Sequence, residues 1–510
     1  MAMLRTPETK WSLYVFLFAG AFVLWSAGSR FILANNDEGI YLASAMRMLR
    51  GELPYRDFFY YLPPATPLIE AGVLRLFGEK LWAARIPLAA DLAILTAAVF
   101  WLTARLANVR AGFVTVFCFL AFETAEHDRL VVDHRWDSSA WATLAITLTV
   151  SLLPPESGNW RARAALAGAS AALAGWITTP VAMVGVVIFG AACIVPGLRR
   201  SAIWIAAGAA GCSACFLGWL AAHHNLAAAL DGVLWPASHY GSANRTAYGW
   251  VIGGYANLFS GLTTGGVITV AIFLIFFTLP ATLPVLALAW WPIRLRLESE
   301  DRRWAIGLLL LSMIALIAST LPRPDLIHLM YVSGVAYALG AALAVRVLPP
   351  RALAMVAIAM ILMAATDYVI ALIRRIGEPA MATRLGVVHG TESDFKVLRL
   401  VTSHVRPEDG FFAFPYWPNF YLFAGARNPT RFAYLQPGMF SAADERIALQ
   451  ELQQSPPRWI LYVDTPPEAY LRIWPRSDPA RLRFASIEDF IAARYRTAGK
   501  VDGFELRERQ

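Results

Sequence analysis

Long apolar runs alternate with short polar loops between residues 11 and 373. A helix needs about 20 apolar residues to span a hydrocarbon core of ~30 Å. We predict a transmembrane helix for each of eleven runs that reach or approach this length. They are Trp11–Leu33, Leu81–Leu106, Ala111–Glu123, Ser138–Leu153, Ala164–Thr178, Val181–Pro196, Ile203–Ala222, Gly265–Trp291, Trp304–Leu321, Ile327–Val345 and Leu353–Ile373. The count depends on a break at 178–180, because the region 164–196 would otherwise form one kinked span.

The arginines predict the orientation of these helices. Arginine pairs such as Arg199 and Arg200 occupy alternate short loops, and the loops between them are poor in arginine. Cytoplasmic loops carry the excess of Lys and Arg. This pattern predicts a multi-pass protein of the bacterial inner membrane, with a cytoplasmic N-terminus and a periplasmic C-terminal region.

Two long outer segments follow from this topology. In the first, 34–80, the apolar residues of Asp37–Leu49 have helical spacing, which predicts an amphipathic helix lying on the membrane. The prolines Pro63-Pro64 predict the start of a second short helix, Ala65–Phe77. The other segment, 223–261, has no clear periodicity.

The composition becomes that of a soluble domain from about residue 378. We therefore divide the chain into a membrane module, 1–377, and a C-terminal domain, 378–510. Periodicity predicts a small α/β fold for the second part. Its predicted helices are Ser393–His404, Ala442–Gln453 and a segment near Ile487–Tyr495, and its predicted strands are Phe411–Phe414, Trp459–Val463 and a segment around Phe504.

Composition agrees with a membrane protein. The chain is 57% hydrophobic and 16% charged, whereas soluble domains carry about 25% charged residues. The net charge of +8 comes largely from arginines in short loops, which favours topology and headgroup contact over nucleic-acid binding. Cys212 and Cys215 form a C-x-x-C inside a predicted span, where small residues at a helix contact are a better interpretation than redox chemistry or metal binding.

Asp37 and Glu38 follow the first apolar run directly. A carboxylate at the bilayer centre costs about 2.5–3.5 kcal/mol, so both should lie at or beyond the outer interface. Two interpretations remain open from the residues alone. The pair could begin a helix with Asn36 as N-cap, or it could supply a general base or a metal ligand.

Two further polar clusters are predicted on the same side of the membrane. One contains Asp133, Arg135 and Asp137 at the start of a helix, and the other contains Arg323 and His328 around a turn with two prolines. Guanidinium groups suit phosphate binding. Carboxylates, arginine and histidine at headgroup level suit a substrate with a charged head and a lipid tail.

The first outer segment also resembles a known family. The stretch NNDEGIYLASAMRMLRGELPYRDFFYYLPPATPLIEAGVLRLFGEKLWAARI is similar to the first periplasmic loop of GT-C membrane glycosyltransferases. The related bacterial enzymes resemble protein O-mannosyltransferases and lipid A aminoarabinose transferases. The shared features are an acidic pair followed by Tyr41, a G-x-x-P-Y ending at Tyr55, a P-P stretch and Arg85 at the second helix.

The resemblance implies a mainly α GT-C fold of about eleven transmembrane helices with a small extracytoplasmic α/β domain. It also implies an inverting transfer of a sugar from a polyprenyl-phosphate donor to a lipid or cell-envelope glycan acceptor. Asp37 would take the acceptor proton, Glu38 would support it or bind sugar hydroxyls, and Arg323, His328 or Arg135 would hold the phosphate. Substrate or phosphate contacts are expected from Tyr41, Tyr55, Arg85, Asp133, Arg135, Asp137, Arg323 and His328.

The chain departs from the family pattern in two places. Leu62 stands before the P-P stretch, where aminoarabinose transferases have a basic residue, and no sugar-binding repeat domain is visible. No cofactor is certain from the sequence: a divalent metal is an open alternative, but no strong metal-ligand spacing supports it. A transporter or flippase of lipid-linked glycans is the alternative. It is disfavoured because the ionisable groups gather at one face and no internal repeat is visible.

Overall fold

The computed structural model describes residues 11–29, 32–124, 130–153 and 159–510. Every one of the eleven apolar runs forms a helix or a bent pair of helices where it is described. The helices before residue 378 are α1 (Trp11–Ser29), α2 (Asn36–Leu49), α3 (Ala65–Phe77), α4 (Leu81–Leu106), α5 (Val109–Thr124), α6 (His134–Val150), α7 (Trp160–Ile177), α8 (Ala182–Ile194), α9 (Ala202–Ala222), α10 (Leu226–Ala243), α11 (Thr264–Phe277), α12 (Leu279–Arg294), α13 (Glu300–Ala318), α14 (Leu326–Val332), α15 (Gly334–Val347) and α16 (Pro350–Gly377).

Length and apolar composition limit which of these helices can cross a membrane alone. In the described ranges, three qualify: α4, the segment Arg199–Ala222 and α16. Two bent pairs raise the number to five, namely α11 with α12 (53°) and α14 with α15 (77°). The predicted spans Gly265–Trp291 and Ile327–Val345 are therefore not straight helices. The count of eleven spans stays a prediction.

The outer helix α2 differs from its prediction in two ways. Its N-cap is Asn35 rather than Asn36, because the Asn35 side chain accepts the Glu38 backbone N–H at 2.9 Å. All its residues from Glu38 to Met46 are buried. The prediction that it lies on the membrane is wrong, because α2 is covered by α3 and by the C-terminal region.

Helix α10 lies in the segment that has no clear sequence periodicity. Pro236 stands inside it, and glycine interrupts its pattern. Gly232 allows the close approach of the first outer segment: a Cβ there would lie 2.4 Å from Tyr55 Cδ1 and 2.9 Å from the Tyr60 carbonyl oxygen. Helix α10 thus forms one wall of the region between the bundle and the C-terminal region.

The C-terminal region forms the predicted α/β fold. Its four-stranded sheet has the order β3-β4-β6-β5, with β3 and β4 parallel and the other pairs antiparallel. A separate antiparallel hairpin, β1-β2, precedes it. The elements are β1 (Ala380–Thr383), β2 (Gly386–His389), α17 (Glu392–His404), β3 (Phe411–Phe414), α18 (Asn419–Ala424), α19 (Ala442–Gln454), β4 (Trp459–Val463), α20 (Pro467–Ile473), α21 (Ala485–Arg494), β5 (Tyr495–Val501) and β6 (Phe504–Arg509).

One hydrophobic cluster joins the first outer segment to the C-terminal region. It contains Tyr41 and Leu42 of α2 together with Phe411 of β3 and Leu422 of α18. Polar contacts reinforce the junction, since Arg47 donates to the Thr430 carbonyl oxygen at 2.9 Å. We call the end of the bundle that carries α2 and the C-terminal region the capped end. The boundary at residue 377 stays a prediction.

Candidate active site

Glu38 and Arg85 form a buried ion pair at the capped end. Arg85 Nε and Nη2 donate to the two carboxylate oxygens of Glu38 at 2.8 and 2.5 Å. Arg85 Nη1 donates to the carbonyl oxygens of Ser29 and Ile32 at 2.6 and 2.7 Å. The Val132 N–H donates to Glu38 at 3.0 Å. These contacts join α1, α2, α4 and the start of α6, so the geometry favours a structural role over the predicted substrate contacts.

The Asp37 side chain points away from the core that holds Glu38. Consecutive helix residues lie about 100° apart, so Glu38 turns into the core and Asp37 is exposed at the helix start. The Tyr416 hydroxyl donates a hydrogen bond to Asp37 Oδ1 at 3.1 Å. Burial and the Asp37 charge raise the pKa of Tyr416 well above its usual value. The phenol therefore stays protonated and remains a donor.

Four tyrosines form a wall beside Asp37. The rings of Tyr416 and Tyr434 pack edge to face with centroids 5.1 Å apart, and those of Tyr61 and Tyr240 lie 6.2 Å apart. Burial raises the pKa of both Tyr61 and Tyr434, and the Asp37 charge adds to each shift. The sequence predicted none of these residues for the site. The only signal was the crowding of aromatic residues and prolines around Tyr416.

Asp133 and Arg135 lie at the start of α6. Asp133 caps the helix by accepting the Arg135 N–H at 2.8 Å, and it accepts the Tyr331 hydroxyl at 3.3 Å. Burial raises the pKa of Asp133 to about 6; the Arg135 charge opposes the shift and the Asp37 charge adds to it. Asp133 thus lies within electrostatic range of Asp37 and of Arg135.

Arg135 is the available cation of this region. Its Nη2 lies 3.4 Å from the Tyr240 hydroxyl, and its side chain is half-buried. No carboxylate among the described residues lies within salt-bridge distance of it. A half-buried guanidinium that is not held in a direct salt bridge is suited to bind a phosphate.

Three other predicted residues have structural partners. The Tyr55 hydroxyl donates to the Leu62 carbonyl oxygen at 2.5 Å, within the first outer segment. Asp137 is buried and accepts the Thr66 hydroxyl at 3.1 Å. Tyr41 is buried too. Through these contacts Tyr55 links two parts of the first outer segment, and Asp137 links α6 to α3.

The predicted phosphate ligands Arg323 and His328 both contact Asp325, which the sequence did not single out. Arg323 Nε donates to Asp325 Oδ2 at 2.8 Å, and His328 Nδ1 lies 2.5 Å from Asp325 Oδ1. Arg323 also donates to Asn244 Oδ1 at 3.1 Å and to the Ile473 carbonyl oxygen at 3.4 Å. The geometry favours a link between α10, α14 and the C-terminal region over a phosphate clamp.

Among the described residues, no three His, Cys, Asp or Glu side chains lie close enough together to bind one metal ion. Cys212 and Cys215 are free thiols on α9.

The fold is similar to those of solved membrane proteins. The chain has the fold of GT-C membrane glycosyltransferases, as the first outer segment predicted. The aminoarabinose transferase ArnT from Cupriavidus metallidurans is similar over nearly its whole length. With undecaprenyl phosphate bound it has a TM-score of 0.58, 13% identity and 98% coverage of both chains. In the apo state the TM-score is 0.59 at 13% identity, with 97% of both chains covered.

A second transferase is similar at lower coverage. Archaeal oligosaccharyltransferase AglB from Archaeoglobus fulgidus, in complex with an inhibitory peptide and a dolichol-phosphate, has a TM-score of 0.51 at 12% identity. The match covers 92% of this chain and 72% of that one. No protein-family model and no curated protein sequence matches the chain.

Proposed function

We propose that the protein is a glycosyltransferase that moves a sugar from a polyprenyl-phosphate donor to a lipid or cell-envelope glycan acceptor, with inversion, at the outer face of the membrane. The observation that carries the proposal is the exposed Asp37 carboxylate, held by Tyr416 at the capped end. Arg135 supplies a cation in the same polar region. The charges of Arg135 and of Asp37 both act on the pKa of Asp133, which lies near each of them.

The proposed reaction needs one base and one cation. Asp37 takes the proton of the acceptor hydroxyl, and the hydroxyl oxygen forms a bond to the anomeric carbon. The bond from that carbon to the phosphate oxygen breaks, and its electron pair leaves with the lipid phosphate. Attack opposite the leaving group inverts the anomeric centre. Phosphate leaves without a general acid, and Arg135 stabilises its charge.

Two comparisons support a lipid-phosphate donor. The similar structures of ArnT and AglB contain undecaprenyl phosphate and a dolichol-phosphate. Both compounds are polyprenyl phosphates, which combine a phosphate head with a long apolar tail. A site at the end of a helical bundle can bind such a head at headgroup level while the tail stays in lipid.

The test compares envelope glycolipids from strains with and without the gene by mass spectrometry. We expect a mass difference of one sugar, which identifies both the sugar and the acceptor. Asp37→Asn should abolish the difference, since a general base contributes typically 10²–10⁴-fold in rate. Asp231→Asn is the matched control, because Asp231 is exposed on α10. Identical glycolipids in all strains would refute the transfer, and full activity of Asp37→Asn would refute the base.

The proposal includes the predicted topology of eleven spans in the bacterial inner membrane. The module 1–377 would form the catalytic bundle, and the domain 378–510 would lie in the periplasm. A tag at the C-terminus should then react with a membrane-impermeant reagent in intact spheroplasts. A tag that reacts only after lysis would contradict the orientation.

A further inference from the structure

A cavity of about 330 Å³ opens in the C-terminal region, at the end of the sheet that lies away from Tyr416. Tyr495 pairs with Arg509 across β5 and β6, next to the row of paired residues that contains Phe411, the first residue of β3. Tyr416 follows the other end of β3. The cavity is therefore separate from the proposed reaction site. Its polar and aromatic lining residues are Gln453, Phe490, Arg494, Tyr495, Arg509 and Gln510.

Two guanidinium groups give this cavity a positive charge. Arg494 ends α21 and Arg509 ends β6, and both are exposed. Among the described residues, no carboxylate lies within salt-bridge distance of either arginine. Arg509 Nη1 donates to the Pro456 carbonyl oxygen at 3.0 Å, and the carbonyl end of α21 favours a cation at Arg494. Carbonyl dipoles do not neutralise a full charge, so a bound anion would be stabilised between the two arginines.

The other groups of the cavity suit a sugar ring better than a simple anion. The rings of Phe490 and Tyr495 pack with centroids 5.9 Å apart, and Phe490 is half-buried. An aromatic ring offers apolar contact area to the C–H groups of a sugar. The exposed side-chain amides of Gln453 and Gln510 can donate hydrogen bonds to hydroxyl groups and accept them. Cations, an aromatic ring and amides together match a sugar that carries a carboxylate.

An acidic peptide is the other class of carboxylate ligand, and the sheet edge beside the cavity disfavours it. Peptides commonly bind as an added strand at a sheet edge, and β5 is the edge strand here. A bulge interrupts β5 between Thr497 and Gly499. Leu400 of α17 packs against the same place, since a Cβ on Gly499 would lie 2.6 Å from Leu400 Cδ1. Bulged and covered edges resist the addition of a strand.

We propose that this cavity binds a carboxylate-bearing sugar of an acidic envelope glycan, with the carboxylate between Arg494 and Arg509. Guanidinium groups form paired hydrogen bonds to carboxylates, and the volume lies within the range of small-ligand sites, about 300–1,000 Å³. The inference goes beyond the proposed sugar transfer, because neither Asp37 nor Arg135 lines the cavity. The C-terminal region then holds an acidic glycan at a point distant from the reaction site.

The test measures ligand binding to the purified full-length protein by saturation-transfer difference NMR with titration. The probes are an oligosaccharide of glucuronic acid, a glucose oligosaccharide of the same length and an aspartate-rich peptide. The wild type should bind the glucuronic acid oligosaccharide about tenfold more tightly than the glucose oligosaccharide, because the carboxylate adds charge-assisted hydrogen bonds. The Arg494→Gln/Arg509→Gln double variant should lose this preference.

Two single variants separate the cavity from general surface charge. Ala493 lines the cavity and is exposed, so Ala493→Phe fills the space without removing charge and should weaken binding of the glucuronic acid oligosaccharide. Arg446→Gln is the matched control and should bind as the wild type does, because Arg446 is exposed on α19 and does not line the cavity.

Three results would overturn the inference. They are equal binding of the two oligosaccharides by the wild type, unchanged binding of the glucuronic acid oligosaccharide in both the double variant and Ala493→Phe, and a preference for the peptide over this oligosaccharide. Asp37→Asn should bind the oligosaccharide as the wild type does, so a failure of the transfer hypothesis remains distinguishable from a failure of this one.

Discussion

The Tyr416 hydroxyl donates a hydrogen bond to Asp37 Oδ1 at 3.1 Å, although 379 residues of chain separate the two. Asp37 lies in the first turn of α2, and Tyr416 lies in the C-terminal region, between β3 and α18. The proposed base is therefore oriented by a residue of the other part of the chain. The C-terminal region contributes directly to the site.

Removal of this hydroxyl should slow sugar transfer. Without this donor the Asp37 carboxylate is free to rotate, so we expect Tyr416→Phe to lower kcat by about tenfold. Because Asp37 is exposed, water can replace the donor, and the unfolding midpoint should stay nearly unchanged. Tyr248→Phe is the control, because its hydroxyl donates only to the Ala281 carbonyl oxygen. A Tyr416→Phe enzyme with the kcat of the control would show that Asp37 needs no such donor.

A methyl group at Gly39 should disrupt the junction over α2. A Cβ there would lie 2.3 Å from the Asn419 backbone N and 2.8 Å from the Pro418 carbonyl carbon. Because backbone atoms cannot rotate away, we expect Gly39→Ala to cost about 1–3 kcal/mol and to lower the thermal unfolding midpoint in detergent. Gly72→Ala in α3 has open space around it and should raise stability by about 0.5–1 kcal/mol. Equal midpoints for the two variants would contradict this packing.

The Glu38–Arg85 pair should behave as structure in a double-mutant cycle. Removal of one partner leaves a buried, uncompensated charge, so Glu38→Met and Arg85→Met should each cost about 3–5 kcal/mol. The double variant should lower the free energy of unfolding by less than the sum of the two single variants. Arg399→Ala breaks an exposed pair with Glu392 and should cost about 0–1 kcal/mol. Wild-type stability of Arg85→Met, together with lost donor binding, would favour the substrate role.

Asp133 should make stability depend on pH. Its usual pKa of 3.8 rises to about 6 in the folded protein, so the folded state favours the protonated form. The wild type then loses stability as pH rises from about 4 to 6, on the order of 3 kcal/mol in total. Asn keeps the capping oxygen but does not ionise, so the midpoint of Asp133→Asn should rise relative to the wild type over this range. A difference in midpoint between Asp133→Asn and the wild type that stays constant from about pH 4 to 7 would contradict the assignment.

Local patterns predicted the elements with regular periodicity. The helices α3 and α4 and the strands β3 and β4 begin and end at the predicted residues, because apolar spacing, Pro-Pro and Gly are local signals. Helix α10 was missed because glycines and Pro236 interrupt its pattern. The bend between α14 and α15 was missed because a continuous apolar run does not distinguish a straight span from a broken one.

The candidate site depends on long-range contacts, which periodicity cannot supply. Asp37 and Arg135 were predicted from their place at the outer helix ends. The partners of Glu38, Arg323 and His328 were not predicted, because tertiary packing decides which acidic and basic side chains come into contact. Tyr416 lies in a loop, and it reaches Asp37 only because that loop folds against α2.

The separation of Asp37 from Tyr416 also sets an order of events during synthesis. At about 5–20 residues per second, the 379 residues between them take on the order of 20 to 80 s to translate. During that interval the first helices can enter the membrane while the proposed base still lacks its donor. A nascent chain would therefore lack the donor to Asp37 until Tyr416 has been made and the C-terminal region has folded against α2.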